Sequence, residues 1–372
     1  MSELGIGLIG SGFMGASHAF ALAAARRVFD LPKKPRLELL ADASEALAQE
    51  AASRFGFARA TADWRALIAD PAVDVVHITA PNHFHVPMAK AAIAAGKAVH
   101  CEKPLAASLA EANELADLAD GAGTTTIVGF NYLKNPIQAL ARDLIDGGEI
   151  GEIVSFRGIH AEDYMRDSSA AWSWRLDPAG GGATMDLGSH VVSLARFLIG
   201  DIARVSAHAK TVYPTRPGPD GKAVAITVDD QCHALLEFAG GASGALQANW
   251  LSAGQTMQLA YEIIGTKGSI AFTQARFNEL RLYRDGPDAR TSGFRTITAG
   301  PAHEPYAAFC PAPGHQLGFN DLKTIEMRDF LTAVAGGGKA TPDFREAARI
   351  QAVIDAILIA ARERTWVEVT NR

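Results

Sequence analysis

Leu4-Gly5-Ile6-Gly7-Leu8-Ile9-Gly10-Ser11-Gly12-Phe13-Met14-Gly15 is the stretch of sequence on which the fold turns. Its first six residues form a short apolar run without alternation, the pattern of a strand covered on both faces. A GxGxxG string follows at once and leads into an alanine-rich helical run. In that strand–turn–helix setting each glycine has its own task. Gly10 permits the tight turn, Gly12 lets a pyrophosphate approach the backbone, and Gly15 lets helix and strand pack closely. The helix start offers unpaired N–H groups and the positive end of its dipole to the phosphates. Gly10, Gly12, Phe13, Met14 and Gly15 are therefore expected to hold a dinucleotide. Asp42 closes the next strand, after an insertion-like Pro32-Lys33-Lys34-Pro35, and is placed to accept from ribose hydroxyls. Ala43 and Ser44 follow it rather than a cation, and a carboxylate repels a 2′-phosphate. The expected cofactor is NAD. A second reading, in which Asp42 caps the following helix, stays open.

Outward from this stretch, strand candidates at 4–9, 37–41, 73–79, 98–101 and 125–128 alternate with helical patterns. That alternation predicts a doubly wound parallel sheet, a Rossmann domain over 1–131. Ser108 with Glu111 reads as a capping box opening a helix that stops at Gly121, and a helix over 84–95 ends before Gly96. Beyond Asn131 the grammar changes. A helix over 137–145 leads to strand-like segments at 153–160, 205–212, 229–238, 243–250, 258–265 and 279–283. A hairpin turn at Thr266-Lys267-Gly268 joins two of the strand segments, 261–264 and 269–272. Strands without intervening helices predict an α+β domain over 132–372 with a large, mostly antiparallel open sheet. The span 286–317, rich in proline and glycine, reads as an irregular loop with a function, and helices over 324–335 and 345–362 close the chain.

Composition narrows the class. The chain has 372 residues, 48% hydrophobic and 20% charged, enough for two cores. A net charge of −6 argues against nucleic acid, which needs a basic face. Cys101, Cys232 and Cys310 fall into no metal-finger spacing and read as reduced thiols. With no apolar run of membrane-spanning length and no leader-like start, a cytoplasmic protein is expected. His83 and His85 have no carboxylate or cysteine beside them, so packing or a cofactor contact is expected there and no metal.

Three further motifs complete the pattern: Ala80-Pro81-Asn82 with His85, Glu102-Lys103-Pro104, and Asp186-Leu187-Gly188-Ser189-His190 after Gly180-Gly181-Gly182. With the fingerprint and Gly129-Phe130-Asn131-Tyr132, the chain resembles the Gfo/Idh/MocA oxidoreductases, the glucose–fructose oxidoreductase and inositol dehydrogenase family. The residues make chemical sense independently of the name. Oxidising a secondary alcohol requires a base, a donor for the developing alkoxide and a hydride acceptor. An imidazole ordinarily titrates near neutrality, which makes His190 the candidate base. Asp186, four residues earlier, can orient it or bind a neighbouring hydroxyl. Lys103, at the carboxyl end of a strand, can donate to the substrate oxygen.

The resemblance implies catalytic roles for Lys103, Asp186 and His190. It implies cofactor contacts from Ala80, Asn82, His85, Glu102, Lys103 and Asn131, and substrate contacts that include Tyr164. It departs from the common pattern at Ser193, where many relatives carry an aspartate, and at Leu133-Lys134. Trp172-Ser173-Trp174-Arg175 and Gly314-His315-Gln316 look like subgroup signatures, with Arg175 and His315 expected to bind hydroxyls, His315 within its own subunit or across an interface. The resulting expectation is an NAD-dependent dehydrogenase of a cyclic polyol, scyllo- or myo-inositol, working as a homodimer or homotetramer. The alternatives are an aldose dehydrogenase and, more remotely, a redox-neutral NAD user or a silent NAD-binding regulator.

Overall fold

β1 (Glu3–Ile9) is buried from Leu4 onward, as a run without alternation demands. The computed structural model describes residues 3–370 apart from 219 and 337. β1 lies at the centre of a six-stranded sheet with β2 (Lys34–Ala41), β3 (Arg59–Thr61), β4 (Val75–Ile78), β5 (Ala98–Cys101) and β6 (Thr126–Val128). The order is β3-β2-β1-β4-β5-β6, and every pairing is parallel. The order reverses between β1 and β4, the switch point outside which open α/β sheets bind ligands. The helices are α1 (Phe13–Val28), α2 (Glu45–Phe55), α3 (Trp64–Ala69), α4 (His85–Ala94) and α5 (Leu109–Ala122). The Ser108 box forms, with Glu111 N–H donating to Ser108 Oγ at 3.3 Å. The helix passes the expected stop at Gly121, where no left-handed residue is needed, and ends at left-handed Gly123 (φ 63°).

In the second region α6 (Pro136–Asp146) precedes β7 (Ile153–Ala161), α7 (Ser189–Leu198) and β8 (Ile202–Lys210). A small antiparallel pair, β9 (Thr215–Pro217) and β10 (Ala223–Ala225), stands apart. Then come β11 (Gln231–Phe238), β12 (Ser243–Asn249), β13 (Gln258–Gly265), β14 (Gly268–Thr273), β15 (Glu279–Arg284) and β16 (Arg295–Thr298). Helices α8 (Phe319–Gly336) and α9 (Phe344–Glu363) and strand β17 (Val367–Glu368) end the chain. The nine-stranded sheet runs β16-β15-β14-β13-β7-β12-β11-β8-β17, antiparallel except where β12 lies parallel to β7. Its strands alternate: in β11, Cys232, Ala234, Leu236 and Phe238 are buried while His233 and Leu235 are exposed. One face packs a core and the other is open.

The chain divides into two units, Met1–Lys134 with Gly318–Ala348, and Asn135–Leu317 with Arg349–Arg372. A single cut at 131/132 comes close to the first break but misses the return. α8 belongs to the first unit because Met327, Phe330 and Leu331 pack into the core of Leu8, Leu22 and Ala25. That pairing spans some 300 residues and leaves no local signal. Within the expected irregular loop, 295–298 is the edge strand β16. No helix among the described residues is long and apolar enough to cross a membrane.

Candidate active site

In the first unit the glycine turn behaves as its sequence requires. Gly10 has φ 96°, and a Cβ there would lie 2.9 Å from Thr79 O. A Cβ on Gly15 would meet Gly10 O at 2.2 Å. At Gly12 a Cβ would meet nothing within 4 Å, so the backbone there faces open space. Gly12 is also the N-cap of α1 and gives no side-chain cap, which leaves the first N–H groups turned outward. Phe13 is 74% exposed and stacks on Phe319 at 5.6 Å, with Met14 beside it half-buried. Asp42 does not cap α2; Ser44 does, accepting from Leu47 N–H at 3.3 Å. One Asp42 oxygen instead accepts from Ser11 N–H (2.8 Å) and Ser11 Oγ (2.5 Å), tying the second strand to the glycine turn.

At the ends of β4 to β6 the expected residues separate into two groups. Asn82 and Asn131 are buried, and the Asn131 amide nitrogen has no hydrogen-bond partner among the described residues, a donor aimed at something the chain does not supply. An open backbone cradle at a helix start and an unmatched buried donor fit a bound dinucleotide. His85 and Glu102 differ from expectation, because their side chains are committed to the protein. His85 Nδ1 lies 2.7 Å from Pro104 O and Nε2 2.9 Å from Ala80 O, so the ring bridges the loops after β4 and β5. Burial lowers its pKa, although both carbonyls oppose that. A cofactor contact from these positions would come from the backbone. Lys103 itself is half-buried.

Glu102 joins a buried cluster that no local pattern announces. Its Oε1 accepts from His18 Nε2 (2.9 Å) and Lys323 Nζ (2.8 Å), and Lys323 also donates to Glu326 Oε1 at 2.6 Å. Glu326 Oε1 takes His100 Nε2 at 2.8 Å, and His18 Nδ1 meets His77 Nδ1 at 3.1 Å. A ring nitrogen of each of His18, His77 and His100 lies within 4.8 Å of the other two. Burial, then the His100 charge, push His18 down to about 3, and burial likewise takes His77 well below the ordinary range. Burial would raise Glu102, but Lys323 and His18 hold it well below a normal carboxyl. Burial would lower Lys323, but the two carboxylates carry it above a normal ammonium.

The second unit assembles side chains. Asp186 sits in a π-helical turn, Thr184–Gly188, directly before α7, which carries His190 in its first turn. Asp229 braces that turn, accepting from Thr184 N–H (2.9 Å) and Oγ1 (2.8 Å). Asp186 Oδ2 accepts from Tyr164 OH at 2.7 Å and Arg175 Nε at 3.2 Å. Arg175 also lies over the rings of Trp174 (4.4 Å) and Tyr164 (5.4 Å). Although Tyr164 is 39% exposed, partial burial and then the Asp186 charge raise its phenol well above the usual value. His190 is buried and packs on His160 at 5.4 Å. His160 is a neighbour that sequence reasoning missed, since it lies inside a β7 pattern that reads as plain strand. Its Nε2 meets Glu162 Oε1 at 2.9 Å.

His315, the remaining expected substrate residue, lies on the long loop before α8. It is exposed and makes no hydrogen bond or ion pair among the described residues. The loop around it is held from within. Tyr306 is fully buried and accepts from Gln316 N–H at 3.2 Å, and Asn278 bonds both Leu317 N–H and Leu317 O. These hydrogen bonds order part of the loop and do not involve the His315 side chain.

Comparison with known proteins gives the family. Residues 4–130 match the model of the oxidoreductase family with an NAD-binding Rossmann fold, and 139–271 match the GFO/IDH/MocA C-terminal domain. The chain is 38% identical to levoglucosan dehydrogenase of Pseudarthrobacter phenanthrenivorans, over 99% of each chain. A solved levoglucosan dehydrogenase in complex with NADH and levoglucosan matches with TM-score 0.96 and 39% identity over 100% of both chains. An NAD binding oxidoreductase from Klebsiella pneumoniae matches with TM-score 0.95 and 42% identity, again over 100% of both.

Proposed function

We propose, for a chain that belongs to the GFO/IDH/MocA family of NAD-binding oxidoreductases, that it is a sugar dehydrogenase oxidising a secondary ring hydroxyl of a levoglucosan-like anhydrohexose or related pyranose. The observation that carries this reading is the end-to-end likeness to levoglucosan dehydrogenase. The Tyr164–Asp186–Arg175 group supports it by offering directional polar contacts beside the Trp174 ring, as a polyhydroxylated ring requires. The inositol preference expected from the motifs becomes the second reading, because the same three motifs serve any cyclic polyol.

In the proposed reaction His190 takes the hydroxyl proton and Lys103 donates to the oxygen as negative charge develops on it. Asp186 holds Arg175 and Tyr164 in place through one shared oxygen. Tyr164 stays protonated, so it acts as a donor. Bound NAD would supply the acceptor for the hydride of the carbinol carbon. The glycine turn and the α1 terminus would hold its phosphates, and Asp42 would receive the ribose.

Levoglucosan has no free anomeric hydroxyl, which makes it a discriminating probe. NADH formation should be measured with levoglucosan, D-glucose, D-xylose, myo-inositol and scyllo-inositol, each with NAD and NADP. The expected result is the highest kcat/KM with levoglucosan and at least about tenfold preference for NAD, ~1.4 kcal/mol. Higher kcat/KM with an inositol would restore the second reading, and NADH from free aldoses alone would move the reaction to the anomeric carbon.

A further inference from the structure

Two carboxylates and an ammonium lie wholly inside the first unit among three imidazoles. Groups of this kind contribute little net stability, and well-packed apolar residues of similar volume often do better. Their presence calls for another explanation, and the connections of the cluster suggest one. Lys323 and Glu326 come from α8, His18 from α1, and His77 and His100 from the neighbouring strands β4 and β5. Glu102 is the member that stands at the end of a strand, next to Lys103. Its first oxygen takes His18 and Lys323, and its second accepts from Lys103 N–H at 3.3 Å. The carboxylate is also confined by shape, since a Cβ on Gly129 would come within 2.4 Å of Glu102 Oε1. On the far side of the same turn His85 contacts Pro104 O at 2.7 Å. The Lys103 backbone is therefore gripped before and after the residue by buried groups.

We propose that Lys323 is a positioning residue, which fixes Glu102 and through it the turn that presents the Lys103 ammonium. His18 holds the same oxygen from the neighbouring helix α1, and Glu326 with His100 holds Lys323 in turn. The inference rests on the reading that Lys103 donates to the substrate oxygen. A 1 Å misplacement at such a donor is felt in turnover before it is felt in binding.

Removing Lys323 alone would leave two buried carboxylates against no cation, so the test removes one charge of each sign. In Lys323→Met/Glu326→Met, Glu102 keeps His18 and loses the ammonium. Active sites are counted by NADH fluorescence titration, and kcat and KM are measured per NADH-binding site with the best substrate of the panel. The expected result is a kcat lowered tenfold or more, with KM and NADH affinity within threefold of the parent. A merely structural role would lower the melting temperature and the number of sites but leave kcat per site unchanged, and that result overturns the proposal. Should the methionine pair bind no NADH, Lys323→Gln/Glu326→Gln is read in the same way. Failure of both pairs to bind NADH makes the cluster a folding element and also overturns it. Lys103→Ala, measured alongside, separates the two claims. Lost turnover there with a normal double variant removes the positioning role alone, while normal turnover in Lys103→Ala removes the underlying reading.

Discussion

In the first unit a ligand cradle is made from backbone: two glycines whose Cβ atoms would strike carbonyl oxygens, and a helix that begins without a side-chain cap. In the second unit the candidate machinery is made from side chains: Tyr164 and Arg175 on one oxygen of Asp186, and His190 against His160. A backbone site depends on space, so an added methyl group destroys it as a whole. A side-chain site depends on individual groups, so it loses its capacities one at a time. The largest expected effects follow from that contrast. Gly15→Val, driving a Cβ toward Gly10 O, should weaken NADH binding by at least about 10²-fold, ~2.7 kcal/mol. His190→Ala should lower turnover by about 10²-fold and leave NADH affinity as it was. Fluorescence titration and initial rates read both. A His190→Ala protein that lost NADH as severely as Gly15→Val would break the division of labour.

The same contrast explains what could be read from the sequence. Backbone sites announce themselves, because the glycines, the strand before them and the helix after them are contiguous. Gly10, Gly12 and Gly15 were legible for that reason, as were the alternating strands of the open sheet. The Asp186–His190 spacing was legible because both lie within one turn of chain. Contacts across long separations were not. Nothing near Lys323 shows that it meets a glutamate 221 residues earlier, nor that α8 returns to the first core. His85 and Glu102 stand in motifs that the sequence displays, but the direction of their side chains could not be read, since a motif does not say which way a side chain faces. The edge strand β16 hid in a span whose prolines and glycines suggested only a loop.

An intermediate effect concerns the buried histidines. His18 has its folded pKa lowered to about 3, so the unfolded chain, near 6.5, binds the proton more tightly. A depressed histidine contributes stability that is present above the unfolded value and is lost as pH falls from about 6.5 toward 3. Glu102, held low, adds to the loss further down the scale. The first unit should therefore weaken below about pH 6.5 by up to about 1.4 kcal/mol per pH unit for each such histidine. Urea titrations at pH 7.5, 6.5 and 5.5, followed by NADH-site fluorescence, should show the midpoint falling with pH. His18→Gln should flatten that trend. An equally steep fall in His18→Gln would assign the acid sensitivity to another group.

The smallest effect sharpens the comparison inside the second unit. Arg175 and His315 both stand in unusual segments, Trp-rich for one and proline-rich for the other, and composition gives them equal standing as substrate residues. Their surroundings differ. Arg175 lies over two aromatic rings and bonds Asp186, so Arg175→Ala removes a partner from the candidate machinery and should raise KM for the sugar by about tenfold, ~1.4 kcal/mol. His315 is exposed, and its loop is pinned by Tyr306 and Asn278 rather than by the histidine. His315→Ala should consequently leave KM, kcat and the ranking of sugars within about twofold of the parent, as surface changes away from such features do. Steady-state rates over the same substrate panel decide the matter. A strong rise in KM for His315→Ala would mean that the exposed tip meets the substrate in the assembled enzyme. Comparing enzyme dilutions above and below the point where any oligomer dissociates would then tell a contact within one chain from one supplied by a second copy.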